Sequence, residues 1–310
     1  MGGMDMALNL ANQSGGSQLL DAWGDLFVER FQGTGKEVDI DNAISAHELA
    51  IGTMSADDEK YGAYTREAGV AWLKRFRTFG NIHDINRAVS LLEISVSFIP
   101  ESNANLMRQL NNLGVSFHSR FKRTGDLADI DNAISNKQRA VELTPLGHAD
   151  LPLHLNNLGN SFESRFERIG DLADIENAIS NKQRAVELTP LGHAGLPTHL
   201  SNLGISFLSR FERTGDLADI ENAISNKQRA VELTPLSHAD LPAHLSNLGI
   251  SFQSRFDRTG DPADIENAIS NKHRAVELTP LGHADLPAHL NTSWKLVWVS
   301  LRTDWRPCRH

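Results

Sequence analysis

The sequence predicts an all-α fold, an α-solenoid of stacked antiparallel helix pairs. Three observations support it: a motif that returns every 45 residues, apolar side chains spaced three and four apart, and turn residues between the apolar segments. The motif is read in Leu110-Asn-Asn-Leu-Gly, Leu155-Asn-Asn-Leu-Gly, Leu200-Ser-Asn-Leu-Gly and Leu245-Ser-Asn-Leu-Gly. A length of 310 residues suggests about two domains. The repeat replaces that expectation with one continuous array.

The repeat divides the chain into three parts. Residues 1–19 are rich in Gly, Ser and Asn and are predicted to be disordered. Residues 290–310 leave the pattern as an aberrant tail or cap. Between them lie six units, of which the first two have drifted but keep their glycine, aromatic and aspartate positions: 20–64, 65–109, 110–154, 155–199, 200–244 and 245–289.

Each unit is predicted to form a helix A and a helix B. In helix A of the unit 155–199, apolar residues at spacings of three and four define one face: Leu155, Leu158, Phe162 and Phe166. Helix B buries Ile175, Ala178, Ile179, Ala185, Val186 and Leu188. Because one such pair cannot bury its own apolar face, neighbouring pairs must stack.

Turn residues mark the helix ends. Gly170 fits a C-terminal stop for helix A, and either Asp171 or Asp174 caps helix B. Thr189 precedes a proline and therefore ends helix B. Pro197 fits the first turn of the next helix A.

The small residues of the unit resemble the tetratricopeptide (TPR) pattern of a bulky residue, Leu-Gly, an aromatic, two alanines and a proline. Those roles fall on Leu155, Leu158, Gly159, Phe162, Ala178, Ala185 and Pro190. The resemblance implies a right-handed superhelix in which Gly and Ala let helices A and B approach closely. The unit is longer than the 34-residue family form, and Lys182 replaces the aromatic between the alanines. Long arrays of this kind resemble repeat regions of CHAT-type peptidases and NTPase immune receptors.

Comparison of neighbouring units locates a candidate binding surface. Eight of the nineteen differences among units three to six fall on four positions of helix A, which form one stripe about 100° from the apolar face. The predicted protein-binding residues are Asn111, Val115, His118, Lys122, Asn156, Asn160, Glu163, Glu167, Ser201, Ile205, Leu208, Glu212, Ser246, Ile250, Gln253 and Asp257. We expect the stripe to line the concave surface, with Ile205 and Leu208 as an exposed apolar patch. Neutral drift on a solvated face is the alternative.

Composition excludes several classes of function. A net charge of −9 disfavours nucleic acid, which requires a basic surface. No apolar run reaches the length of a membrane span, and the N-terminus lacks the pattern of a secretory signal. The single cysteine, Cys308, excludes an intrachain disulfide and favours a reducing, cytoplasmic location. The expected partner is an unknown protein or peptide, without cofactor or metal.

Motifs that suggest chemistry are incomplete. Gly33-Thr-Gly-Lys36 lacks the Ser or Thr of a phosphate loop, since Glu37 follows. Paired histidines recur as His148 and His154, His193 and His199, His238 and His244, and His283 and His289. A metal-binding or pH-sensing ladder is one interpretation, and bonding to backbone near a helix start is the other.

The chain is therefore expected to be a non-enzymatic interaction scaffold. The alternative is the regulatory repeat region of a larger CHAT-type or NTPase protein, cut short. The pattern breaks after Asn291, and the tail that follows is rich in tryptophan, which favours truncation over a polar cap.

Overall fold

A computed structural model describes residues 15–101, 103, 105–280 and 286–287. Those residues form helices and no strand, which confirms the all-α prediction. The helices are α1 (Gly16–Thr34), α2 (Glu37–Gly52), α3 (Tyr61–Phe79), α4 (Ile82–Ser97), α5 (Leu106–Thr124), α6 (Leu127–Leu143), α7 (Leu151–Ile169), α8 (Leu172–Leu188), α9 (Leu196–Thr214), α10 (Leu217–Leu233), α11 (Leu241–Thr259) and α12 (Pro262–Leu278). Odd-numbered helices are helix A of repeats one to six, and even-numbered helices are helix B.

The chain divides into two compact units, Met1–Ser161 and Phe162–His310. In the first, α1 packs on α2, α3 on α4 and α5 on α6, while α2 also contacts α3 and α4 contacts α5. In the second, α9 packs on α10 and α11 on α12, while α8 contacts α9 and α10 contacts α11. Each unit is thus a stack of helix pairs.

The turn between helices A and B consists of a glycine and an aspartate. Gly215 ends α9 with φ 75°, a left-handed conformation that favours glycine, and its N–H donates to Phe211 O. The side chain of Asp216 then accepts a hydrogen bond from Ala218 N at 3.0 Å and caps α10. At the equivalent place in repeat four the cap is Asp171, which resolves the sequence alternative against Asp174.

An ion pair closes each turn. Arg210 donates to both carboxylate oxygens of Asp219, with Nε–Oδ2 at 2.8 Å and Nη2–Oδ1 at 2.6 Å. The guanidinium also lies 5.6 Å from the centre of the Phe207 ring. The same pairing joins Arg120 with Asp129, Arg165 with Asp174 and Arg255 with Asp264. This clasp fixes helix B against helix A.

Glycine permits the close approach of the two helices, as the resemblance implies. A Cβ added to Gly204 of α9 would lie 2.9 Å from the backbone oxygen of Ala223 and 2.7 Å from Lys227 Cγ. Around this contact lies a core of buried residues that includes Phe211, Ile220 and Ile224. The apolar face of helix A and the small residues of helix B therefore pack as predicted. The prediction for helix B is wrong at Leu188, which is 37% exposed at the last residue of α8, and Val186 is half-buried.

Helix A begins four residues ahead of the predicted frame. The first helix starts at Gly16, four residues before the first predicted unit begins at Leu20. Pro197 lies in the first turn of α9, as predicted. Residues 1–14 and the tail 290–310 lie outside the described residues, and the expectations for them stay predictions.

Candidate functional site

The four stripe positions of helix A differ in exposure. In each of repeats three to six the last of the four positions is exposed: Lys122, Glu167, Glu212 and Asp257. Half-buried members are Val115, Asn160, Ile205, Ser246, Ile250 and Gln253. Buried members are Asn111, His118, Asn156, Glu163, Ser201 and Leu208. The stripe thus has an exposed end and an inner part that packs within the repeats.

The exposed end carries a row of charge. In the second unit the row consists of the carboxylates Glu167, Glu212 and Asp257, each at the last turn of a helix A. The neighbouring Arg258 reaches toward the preceding helix A, because a Cβ on Gly215 would lie 3.1 Å from its Nη2. A cation is favourable at a helix C-terminus, so Arg258 stabilises the contact between α11 and the C-terminal end of α9. The carboxylates of the row are exposed to solvent.

The third stripe position meets a buried lysine in repeat four. Lys182 of α8 is 0% exposed, and its Nζ donates to Glu163 Oε2 at 2.8 Å. The same ammonium donates to Ser206 Oγ on α9 at 2.9 Å, and Ser206 donates to Glu163 Oε1 at 2.6 Å. This network joins helix A and helix B of repeat four to helix A of repeat five.

Repeat three has the same lysine with a different partner. Lys137 is 1% exposed and donates to Ser161 Oγ at 2.7 Å and to Asn157 O at 3.2 Å. His118 replaces the glutamate, with Nδ1 3.3 Å from Nζ. Burial, aided by the charges of Lys122 and Arg77, lowers the pKa of Lys137 to about 7.

Repeats five and six complete the series. Lys227 donates to Ser251 Oγ at 2.7 Å, and burial lowers its pKa to about 7. Lys272 donates to Gln253 Oε1 at 2.9 Å, and burial lowers its pKa as well. The variable third position thus sets the environment of a lysine that recurs in every one of repeats three to six.

The prediction of an exposed apolar patch is wrong at Leu208. Leu208 is 7% exposed and belongs to the core cluster with Ile220 and Phe252, so it presents no exposed apolar surface to a partner. The error arises because helix A packs both on its own helix B and on the next repeat, which buries a wider arc than one apolar face. Ile205 is half-buried.

The histidines bond within the connecting turns. Thr144 Oγ1 and His154 Nδ1 are 3.0 Å apart, and Thr189 Oγ1 and His199 Nδ1 are also 3.0 Å apart. In the three described pairs the first histidine accepts from a backbone N–H two residues on: His148 from Asp150, His193 from Gly195 and His238 from Asp240. The backbone-bonding interpretation is therefore confirmed for His148, His193 and His238, whereas His154 and His199 bond a threonine hydroxyl instead. Among the described residues, no cluster of three metal-ligating side chains occurs.

A small cavity lies beside two connecting turns of the second unit. It has a volume of about 240 Å³, and its lining includes Leu196, Pro197, Leu233, Pro235 and His244. The lining includes the first turn of α9, at the opposite end of that helix from Glu212. The volume suits one side chain rather than a drug-sized molecule.

Sequence reasoning missed the lysines. Lys182 stands where the resembling family places an aromatic, and that position was itself the available signal. Its aliphatic stem fills the space of the ring, and its ammonium reaches polar partners on two helices.

No protein-family model and no curated protein matches the chain. Solved structures resemble its fold. The C-terminal part of a TPR repeat-containing protein from Cytophaga hutchinsonii matches with a TM-score of 0.57 and 12% identity, over 92% of this chain and 89% of the other. A putative kinesin light chain of Podosopora anserina with TPR-like repeats matches with a TM-score of 0.51 and 12% identity, over 70% and 98%. The APC/C complex Cut9–Hcn1 matches with a TM-score of 0.57 and 14% identity, over 96% and 46%.

At these identities the likeness concerns the fold alone. The chain has a TPR-like helical-repeat fold. Within the described ranges, no helix combines the length and apolar character of a bilayer span. The CHAT-type or NTPase context stays a prediction.

Proposed function

We propose that this chain is a non-enzymatic scaffold that binds a basic peptide or protein segment along the exposed ends of its helix A stripe. The observation that carries the proposal is the row of Glu167, Glu212 and Asp257, which recurs at equivalent places on neighbouring helices. Helices α9 and α11 contact each other, so Glu212 and Asp257 lie on adjacent elements.

Charge supports a basic ligand. The whole chain carries a net charge of −9, and carboxylates in a row attract lysine and arginine side chains of a partner. In repeat three, which belongs to the first unit, the equivalent position is Lys122. Its charge is opposite to that of the three carboxylates. A segment bound to the second unit is therefore expected to be basic, and acidic segments are rejected there.

The half-buried members of the stripe add apolar contact. Ile205 and Ile250 lie seven residues ahead of Glu212 and Asp257 on α9 and α11, two turns along the same face. A ligand with alternating basic and apolar residues fits this surface. The inner positions such as Glu163 serve packing, and the proposal does not require them to touch the ligand.

Selection from a displayed peptide library on the full chain, followed by fluorescence anisotropy, tests this function. The triple variant Glu167→Lys, Glu212→Lys, Asp257→Lys is expected to weaken binding of the selected peptides at least tenfold, about 1.4 kcal/mol. The matched control reverses three exposed glutamates of helix B, with Glu187→Lys, Glu232→Lys and Glu277→Lys, and is expected to change affinity less than threefold. Selected peptides without basic residues, or equal losses in both variants, would contradict the proposal.

A further inference from the structure

Repeat five contains a buried lysine that has no carboxylate of the described residues within hydrogen-bonding distance. Lys227 of α10 is 1% exposed, and among the described residues its Nζ donates to one group, Ser251 Oγ on α11. At the position of Glu163 stands Leu208, which is itself buried. Among the described residues, the ammonium of Lys227 is therefore anchored to repeat six by a single hydroxyl.

Repeat four provides the internal comparison. There Lys182 has the same place on helix B and the same serine partner, Ser206, but Glu163 supplies a carboxylate at 2.8 Å. The two joints differ mainly in that one carboxylate. A buried ammonium is tolerated when paired and is strongly unfavourable when it is not.

The charged groups around Lys227 are few. In the part of the chain that the structure describes, the charged groups that act on Lys227 are Glu163 of α7 and Glu212 of α9, and both favour its protonated form. The facing group on α11 is the uncharged Ser251. Burial outweighs the two carboxylates, and the pKa of Lys227 falls to about 7.

We propose that the contact between repeats five and six is a pH-sensitive joint, in which protonation of Lys227 loosens the packing of α11 and α12 against α10. When repeat six separates, the amine meets water and recovers the ordinary pKa of lysine, about 10.4. Above pH 7 the separated state binds more protons than the packed state, so packing strengthens as pH rises. Below pH 7 both states hold the proton, and the cost of the buried charge is fully expressed.

Amide hydrogen exchange of the full chain at pH 6 and pH 8 tests the joint. After correction for intrinsic exchange, the opening constant of α11 and α12 is expected to fall roughly tenfold from pH 6 to pH 8. Helix α9 is the internal control, because its Ser206 is hydrogen-bonded to both Lys182 and Glu163. The opening constant of α9 is expected to change less than threefold between pH 6 and pH 8.

Two variants assign the effect to Lys227. Lys227→Met removes the amine, and Leu208→Glu installs the carboxylate of repeat four. Each is expected to reduce the pH effect on α11 and α12 to less than threefold. A tenfold effect that persists in Lys227→Met, or wild-type opening constants that are equal at pH 6 and pH 8, would overturn the proposal. Should Lys227→Met not fold, persistence of the effect in Leu208→Glu overturns it equally.

Discussion

Lys182 Nζ lies 2.8 Å from Glu163 Oε2, and these residues are 0% and 8% exposed. Glu163 varies among the repeats, yet it serves a contact inside the stack. Variation at this position therefore changes how firmly successive repeats are joined. The exposed position four residues further on, Glu167, is the one that faces solvent.

Removing the carboxylate of this pair should be costly. Glu163→Leu leaves Lys182 without its counter-ion and is expected to reduce the free energy of unfolding by about 3–5 kcal/mol. The double variant Glu163→Leu, Lys182→Met replaces both charges with apolar groups and should recover most of the loss. Urea denaturation measures both. Glu167→Leu is the matched control, expected within about 0.5 kcal/mol of the wild type. A single variant as stable as that control would refute the role of the pair.

Stability should rise with pH because of Lys137. The pKa of this lysine is about 7 in the folded chain, below the ordinary value of lysine, so the unfolded chain binds the extra proton between about pH 7 and pH 10. Its contribution is complete above the unfolded pKa and is lost as pH falls to about 7. Urea denaturation from pH 7 to pH 9 is expected to show a slope of about 1.4 kcal/mol per pH unit from this residue. Lys137→Met should reduce the slope by that amount, and an unchanged slope would show that Lys137 is not its source.

A methyl group on helix A should force the helices apart. Gly204→Ala places a Cβ 2.9 Å from the backbone oxygen of Ala223, and backbone cannot move away as a flexible side chain can. We expect a loss of about 1–3 kcal/mol in the free energy of unfolding. Gly33→Ala is the control, since that helical glycine has no neighbour within 4 Å of the added atom, and it should be neutral or stabilising. Equal effects of the two substitutions in thermal or urea denaturation would contradict the close packing.

The ion pair between Arg210 and Asp219 should contribute more to the free energy of unfolding than the helix cap at Asp216. Asp219→Ala removes both hydrogen bonds from Arg210 and is expected to cost about 2–3 kcal/mol. Asp216→Ala removes one capping hydrogen bond at the same turn and is expected to cost about 1 kcal/mol. Urea denaturation of the two variants gives the order directly, and a larger loss from Asp216→Ala would reverse this assignment.

Much of the fold could be predicted because its signals are local. The spacing of Leu155 and Phe162, the glycine at Gly170 and the proline after Thr189 each act within a few residues, and each marks the helix that the structure contains. The inner site could not be predicted in the same way. A lysine in a helical pattern normally indicates a solvated face, and only the packing of two further helices shows that Lys182 is buried.

The exposure of the stripe depends on tertiary packing in the same manner. An offset of about 100° from the apolar face suggests solvent when one helix is considered alone. With two neighbours packed against helix A, that offset still lies inside the interface at Glu163 and Leu208. The last position, at the end of the helix, is the one that is exposed in each of repeats three to six.

The most direct test measures affinity and stability on the same two variants. Peptide affinity is read by fluorescence anisotropy and the free energy of unfolding by urea, for Glu163→Leu and for the triple variant of Glu167, Glu212 and Asp257. The predicted result is a crossover: the first loses stability by about 3–5 kcal/mol and keeps its affinity, while the second keeps its stability and binds at least tenfold more weakly. Loss of affinity in Glu163→Leu with none in the triple variant would contradict the division of the stripe into an inner joint and an outer binding surface.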